Sequence, residues 1–440
     1  MESGLRPRST PRSATGLRRV LPGRRGAPRN EGSAPVLRAF RHRSFTVLWT
    51  GLFFYRAGFW IGLLTFQLMV ARLTQNSPWM LGLLSFFSSI PMLVVTPFVG
   101  VVADRLDRKR LIIANQASMG VAAAVISYLV ITGRAESVLM MFGFSLVFGV
   151  GLAFSIPINH AAVANSVPHE DLRSAVSINS IGLNLARIGG PALAGPILAL
   201  WGPGGTFALW AVAALAGAVA ISMITLRPYQ PEQDTLGVIG RMRQGIEYVR
   251  ERPTIMRALA MAAMVTIFGT SYMAVLPVVA YETLGGDDQT FTMMIMLIGL
   301  GAMLGAFAAG SGRFPLDMST ITWGAIAFGV VEGLFGLTRT VWAAGLLVTV
   351  AGGLNFFLLT CLTTLVQTLA TEAKRGRVMS LFVLAWGGLF PFGTLVLGAL
   401  GETITTPYAL AAFGLVLVAY SLWTRPGRRT VTPSSSPASS

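Results

Sequence analysis

The sequence predicts an all-α membrane protein whose twelve transmembrane helices form two pseudo-symmetric halves of six. Three observations predict it: charge is scarce, the apolar runs are long enough to cross a bilayer, and the basic residues fall in alternate loops. Of 440 residues, 53% are hydrophobic and 12% charged, with a mean hydropathy of +0.65. A soluble domain carries about 25% charged residues, so the soluble class is excluded. A crossing helix needs about 20 apolar residues for a ~30 Å hydrocarbon core. At roughly 33 residues per span and loop, the chain holds about a dozen crossings. The short alternating strands of an outer-membrane barrel are missing from the pattern.

The elements follow in chain order. Residues 1–43 are rich in Arg, Ser, Pro and Gly. They bury too little apolar surface to offset ordering entropy, so a disordered, basic cytoplasmic tail is expected. The stretch lacks the apolar centre of a secretory signal. Spans follow near 45–72, 79–103, 111–132, 138–164, 173–200 and 206–226, giving an N-terminal half over 44–226. Residues 227–254 are the longest interior connection. Within it Val238, Met242, Ile246 and Val249 share a helical face opposite arginines, which predicts an amphipathic helix on the membrane surface. Spans near 255–281, 290–311, 318–337, 341–370, 378–401 and 405–424 make a C-terminal half over 255–424. A second disordered tail is expected over 425–440.

The formal charge of +16 is spread over the N-terminal tail and alternate loops. That distribution argues against nucleic acid as a partner. The loops with Arg105, Arg108, Lys109 and Arg110, or with Lys374, Arg375 and Arg377, lie on one side. Those on the other hold only Arg72, Arg134 and Arg339. Basic loops stay in the cytoplasm, so both termini are expected there, and the number of spans is even. A multi-pass location in a plasma membrane, the bacterial inner membrane, follows.

The halves repeat a pattern. Glu170-Asp-Leu-Arg173-Ser-Ala-Val176 and Glu372-Ala-Lys-Arg375-Gly-Arg-Val378 both read Glu-x-x-Arg-x-x-Val, before spans 5 and 11. Internal duplication is a mark of transporters that bind substrate between the repeats. Enzyme signatures are absent from the sequence: it has neither a phosphate-binding Gly-x-x-x-x-Gly-Lys loop, a Gly-x-Ser-x-Gly elbow nor a His-Glu-x-x-His helix. Cys361 is the single cysteine, and His42, His160 and His169 lack ligand spacing, so no metal or other cofactor is implied.

Between spans 2 and 3 the chain reads Gly100-Val-Val-Ala-Asp104-Arg105-Leu-Asp107-Arg108-Lys109-Arg110. This closely resembles the signature loop of the major facilitator superfamily, Gly-x-x-x-Asp-Arg-x-Gly followed by basic residues. The resemblance covers about 44–424. It implies the two-half fold and a monomeric transporter working by alternating access on a small molecule. It further implies a gating latch, in which Asp104 faces the positive start of span 11 near Gly376 while Arg105 and Arg108 complete the charge cluster. The structural alternative is that Arg105 to Arg110 only fix topology. Asp107 departs from the usual glycine. Aspartate there is similar to a subfamily of exporters that includes the enterobactin exporter, as are Ser77-Pro-Trp79-Met-Leu-Gly82 and Gly245-Ile-Glu-Tyr-Val-Arg250. The second half keeps no Asp-Arg pair in Gly305 to Arg313.

Span 5 carries Arg187-Ile-Gly-Gly190-Pro191-Ala-Leu-Ala194-Gly195. It resembles the Gly-Pro-x-x-Gly-Gly element of the superfamily's antiporters, with Ala194 replacing a glycine, and so implies export. The competing reading is an ordinary kinked helix.

Charge at membrane depth is costly and marks function by default. Arg56 in span 1 and Arg187 in span 5 favour an anionic substrate, although either could pair structurally. Glu332 in span 9 is the candidate proton carrier, and is expected in the outer part of its span with access to water. Glu282 and Glu402 read as interfacial. Gln67, Asn159, Asn184, Tyr272 and Asn355 are polar cavity candidates alongside Arg56; each could equally bond helix to helix. Spans 7 and 8 are rich in methionine, including Met256, Met261, Met294 and Met303, which could serve varied ligands or simply pack. The reading is a secondary transporter, with protons the coupling ion the family implies. It exports a drug-like or siderophore-like molecule. The competing readings are an importer of a small organic anion on the same fold, and a membrane sensor or assembly partner that does not transport.

Overall fold

Apolar runs in lipid leave the backbone one way to satisfy its polar groups within a single segment, and the chain takes it. The computed structural model describes residues 36–105, 107–135, 137–226 and 238–425, which are helical apart from short connections. The tails expected at 1–35 and 426–440, and residues 227–237, lie outside the described residues.

Spans 1 to 4 are Arg43–Leu73, Pro78–Arg105, Arg108–Ile131 and Val138–Asn165. The next helix, Leu172–Ser222, has 51 residues, or about 77 Å at 1.5 Å per residue. That is far too long for one crossing of a ~30 Å core. It breaks at Gly202, whose φ of 66° and ψ of −176° are open to a residue without a Cβ. Residues 172–201 and 203–222 are therefore spans 5 and 6. Span 7 starts at Pro253–Met264, and spans 8 to 10 are Asp288–Gly310, Met318–Leu337 and Val341–Leu369. Span 11 runs through Glu372–Val383 and Phe390–Ile404, and span 12 is Thr406–Trp423. Eleven of the described helices are long and apolar enough to cross a membrane. With the break at Gly202, the path has the twelve crossings that the sequence predicts.

Several starts are set by aspartate, whose carboxylate satisfies the free N–H groups of a first turn. Asp287 accepts from the Thr290 N–H, and Thr290 answers, closing a capping box at span 8. Asp317 accepts from the Thr320 N–H at span 9. The Thr290 bond also favours the Asp287 carboxylate and draws its pKa below the usual value.

Spans 7 and 11 are broken rather than straight. Each carries a π-helical turn, Val265–Gly269 and Leu384–Gly388. Such turns free carbonyls that must find donors inside the protein. The Thr270 and Ser271 hydroxyls bond back to the Val265 and Thr266 carbonyls at 3.3 Å each. The Thr266 hydroxyl donates to the Trp386 carbonyl at 2.9 Å, so the two breaks hold each other.

Two expectations shift. The boundary expected at residue 43 moves back, because Val36–Arg41 is a 3-10 helix and Ala39 is fully buried. Arg38 and His42 both engage Asp171, at 2.8 and 2.7 Å, in the connection before span 5. The interior connection does form a helix, Val238–Arg250. It packs on protein, however: Gly245, Tyr248 and Val249 are buried, while Ile246 stays exposed. The Thr371 N–H donates to the Tyr248 hydroxyl at 3.0 Å, capping span 11. That bond favours the phenolate and draws the Tyr248 pKa below its ordinary value. Gln244 accepts from Arg377, and the Arg252 guanidinium lies 3.7 Å from the Tyr248 ring centre.

Candidate functional site

Span 1 places Arg56, Trp60 and Gln67 at i, i+4 and i+11, one face of a helix. Its Gln67 end reaches the C-terminal half. The Gln67 amide donates to the Met273 carbonyl of span 7 at 3.4 Å. Trp60 lies against span 5, where a Cβ on Gly190 would come within 2.9 Å of the Trp60 Cβ and the Ala57 carbonyl. The small residue at 190 lets the helices close to contact, and one turn earlier this brings Arg187 over Trp60.

Arg187 is the centre of the arrangement. It sits at the midpoint of residues 172–201 and is largely buried. Its guanidinium carbon lies 5.1 Å from the centre of the Trp60 ring and 4.1 Å from that of Phe356 in span 10. One ring therefore comes from each half. It makes no hydrogen bond or ion pair with any described residue. A cation at mid-span costs about 2.5–3.5 kcal/mol to insert. An aromatic face returns about 0.5–2 kcal/mol. The rings offset part of that cost without neutralising the charge.

The other candidates are placed differently. Arg56 donates to the Asn179 side-chain carbonyl at 3.0 Å. Beside it Tyr55, Ser155 and Asn115 link spans 1, 4 and 3, with the Asn115 amide donating to the Ser155 hydroxyl at 2.9 Å. Asn159 is buried. Asn355 accepts from the Thr270 hydroxyl at 3.3 Å, stitching span 10 to the broken part of span 7. The side chains of Asn184 and Pro191 lie outside the described residues, as do those of Asp104 and Arg105. Span 2 carries helix through Arg105.

Tyr272 and Glu332 meet inside the C-terminal half. Phe328 and Phe335 flank Glu332 on span 9, and both rings take Tyr272 edge-on at 6.3 and 6.1 Å between centres. Tyr272 and Glu332 are both fully buried, and neither the hydroxyl nor the carboxyl oxygens have a hydrogen-bond partner among the described residues. This corrects the expectation that Glu332 reaches water: span 9 packs that side against spans 7 and 12. Tyr272 is within electrostatic reach of both Glu332 and Arg187.

The signature loop shows how it turns without the usual glycine. Asp107 caps span 3, accepting from the Arg110 N–H at 3.0 Å. The Lys109 ammonium donates to the Ser222 carbonyl at 2.7 Å, at the end of span 6. In span 5, Gly195 faces the Thr292 side chain of span 8, so that glycine too serves a contact between halves. The methionines divide between core, such as Met261 and Met294, and exposed perimeter, such as Met256 and Met303. They do not form one lining.

Sequence reasoning missed the residues that join the halves at the end far from the termini. Arg72 pairs with Asp288, which also accepts from the Tyr281 hydroxyl at 2.6 Å. Glu402 accepts from the Ser77 hydroxyl at 3.0 Å and the Trp79 N–H at 3.4 Å. A Cβ on Gly82 would lie 2.7 Å from the Thr394 carbonyl and 3.2 Å from the Gly398 Cα, so spans 2 and 11 touch backbone to backbone. The available signal was the position of Arg72, one of three basic residues in the loops on that side.

Comparison with known proteins places this geometry. The profile of the transmembrane secretion effector family matches residues 34–430. The staphyloferrin A transporter of Staphylococcus aureus is 20% identical over 367 residues, covering 83% of this chain and 91% of that protein. The enterobactin exporter of Shigella flexneri is 25% identical over 365 residues, covering 79% and 83%. Among solved structures, a bacterial homologue of the human lysosomal transporter Spinster, inward-facing and unoccupied, aligns with a TM-score of 0.65. It is 15% identical, with 89% of this chain and 95% of that one covered.

Proposed function

Because the chain belongs to the transmembrane secretion effector family of major facilitator transporters, we propose that it exports a siderophore-like or drug-like organic anion across the plasma membrane. The carrying observation is Arg187, a mid-span cation held between a ring from each half and without a counter-charge among the described residues. An anion bound there touches both halves, which is what alternating access requires of a substrate. Two relatives act on siderophores by name, and one is named an exporter. The contacts between halves gather at the end far from the termini. With the termini in the cytoplasm, as the arginine bias supports, that is the inward-facing state, ready to load from the cell.

Glu332 is the acid we assign to the coupling proton. Its carboxyl is buried and has no hydrogen-bond partner among the described residues, a place where an ionised carboxylate costs several kcal/mol. Tyr272 is within electrostatic reach of both it and Arg187. On this reading, anion loading at Arg187 and proton release at Glu332 are linked by electrostatics. The latch residues Gly100, Asp104, Arg105 and Arg108 exchange with the distal contacts as the halves rock.

The test is transport of a catecholate and hydroxycarboxylate siderophore panel, with acidic dyes, into inverted and right-side-out vesicles under an imposed pH gradient. Accumulation in inverted vesicles marks export. Arg187→Gln removes a charge-assisted bond worth about 1.5–3 kcal/mol, so KM rises about 10-fold or more. Glu332→Gln keeps substrate exchange but loses response to the gradient. A wild-type KM in Arg187→Gln sinks the anion site. Gradient-driven transport by Glu332→Gln sinks the proton assignment alone.

A further inference from the structure

At the end of the bundle where the termini lie, a cleft of about 540 Å³ opens between the start of span 1 and the ends of spans 4 and 6. Its walls include Arg41, Arg43, Ser44, Asn165 and Thr225. Four basic residues crowd this short stretch, and the structure divides them into two pairs. Arg38 and His42 both engage the buried Asp171. Arg41 and Arg43 are exposed, and neither has a hydrogen-bond or ion-pair partner among the described residues.

A second feature points the same way. Span 1 is 31 residues long, and the position before its first turn is His42. That side chain turns to Asp171 and leaves the first turn without a side-chain cap. An uncapped helix start carries about half a positive charge and free N–H donors. Here it opens into the same cleft as the two arginines, since Arg43 and Ser44 line it. Asn165 adds a neutral polar residue to the lining. Arginine forks and helix starts are both suited to the oxygens of a phosphate group.

We propose that this cleft binds a phosphate-bearing anion, presented as the headgroup of an anionic phospholipid. The volume exceeds that of a bare phosphate and suits a headgroup. Leu226 on its wall offers apolar surface for the chain that follows. Basic pockets between membrane helices at the interface take such headgroups. The site is separate from Arg187 and does not depend on the direction of transport.

The experiment uses the full chain in neutral detergent. Melting temperature is followed on adding phosphatidylglycerol, phosphatidylcholine or inorganic phosphate at matched concentration. Phosphatidylglycerol raises the wild-type melting temperature by several degrees, phosphatidylcholine does not, and Arg41→Gln/Arg43→Gln loses at least half of the rise. Arg134→Gln/Arg339→Gln, with the same charge removed at the far end, keeps it. If inorganic phosphate reproduces the rise in wild type but not in the cleft variant, the anion is soluble phosphate rather than lipid. An equal phosphatidylglycerol response in wild type and cleft variant overturns the proposal. Should the glutamine variant fold poorly, Arg41→Lys/Arg43→Lys keeps the charge and must retain the rise; its loss there with normal folding also counts against the site.

Discussion

Asp107 shows how one side chain can replace another's backbone freedom. The superfamily loop commonly turns on glycine at this place, whereas here the carboxylate caps span 3 through the Arg110 N–H. Replacing an aspartate cap by alanine costs about 1 kcal/mol, but by glycine only a few tenths. Asp107→Ala therefore lowers the melting temperature by a few degrees, while Asp107→Gly, the usual residue, leaves it nearly unchanged. Thermal unfolding of the two purified variants checks this, and transport by Asp107→Gly at the wild-type rate shows that capping is the residue's whole task. A deficit in Asp107→Gly with normal stability contradicts that. The departure was visible in the sequence, but its reason was not. A cap is a bond to a backbone group, and sequence names only the side chain. Arg187 was legible for a similar reason in reverse: charge at membrane depth stands out in any sequence. Its two aromatic partners, Trp60 and Phe356, come from other spans and carry no spacing relative to it.

At the scale of the element, hydropathy predicts spans 7 and 11 as single helices over 255–281 and 378–401, and it is right about their existence. It was blind to their breaks. The apolar composition is the same on both sides of a π-turn, and the bonds that satisfy it run between elements. The hydroxyl of Thr266 holding the Trp386 carbonyl is such a bond. Thr266→Val keeps the shape and removes the donor, leaving a carbonyl unsatisfied in an apolar setting at about 1–3 kcal/mol. The variant is expected to unfold several degrees lower and to exchange amide hydrogens faster around Leu384–Gly388, as read by hydrogen-exchange mass spectrometry. Unchanged exchange in that turn would mean that the breaks are independent. The connection helix teaches the same lesson. Its amphipathic pattern gave its existence, but the buried face joins Val249 of the apolar set to Gly245 and Tyr248, which fit span 11, and leaves Ile246 exposed.

For the whole molecule, the question is what holds the halves closed at the end far from the termini. Glycine contacts such as Gly82 on Gly398 supply shape there. The ion pair Arg72–Asp288 supplies charge, but its side chains are 52% and 45% exposed. A pair that exposed is worth about 0–1 kcal/mol, which moves a two-state equilibrium up to about fivefold. It tunes the balance between states closed and open at that end rather than locking either. Arg72→Asp should therefore raise the population open at that end several-fold, and Arg72→Asp/Asp288→Arg should restore it. The readout is labelling of a cysteine placed at Ser77, which Glu402 covers in the closed end, in a background where Cys361 is replaced by alanine. Rescue by the double variant identifies the charge pair as the cause, because packing changes at either position would add rather than cancel. If labelling rises equally in the single and double variants, the closure belongs to the glycine contacts, and the pair only decorates it. High salt offers an independent check, since screening should mimic the single variant and leave the double variant no different from wild type.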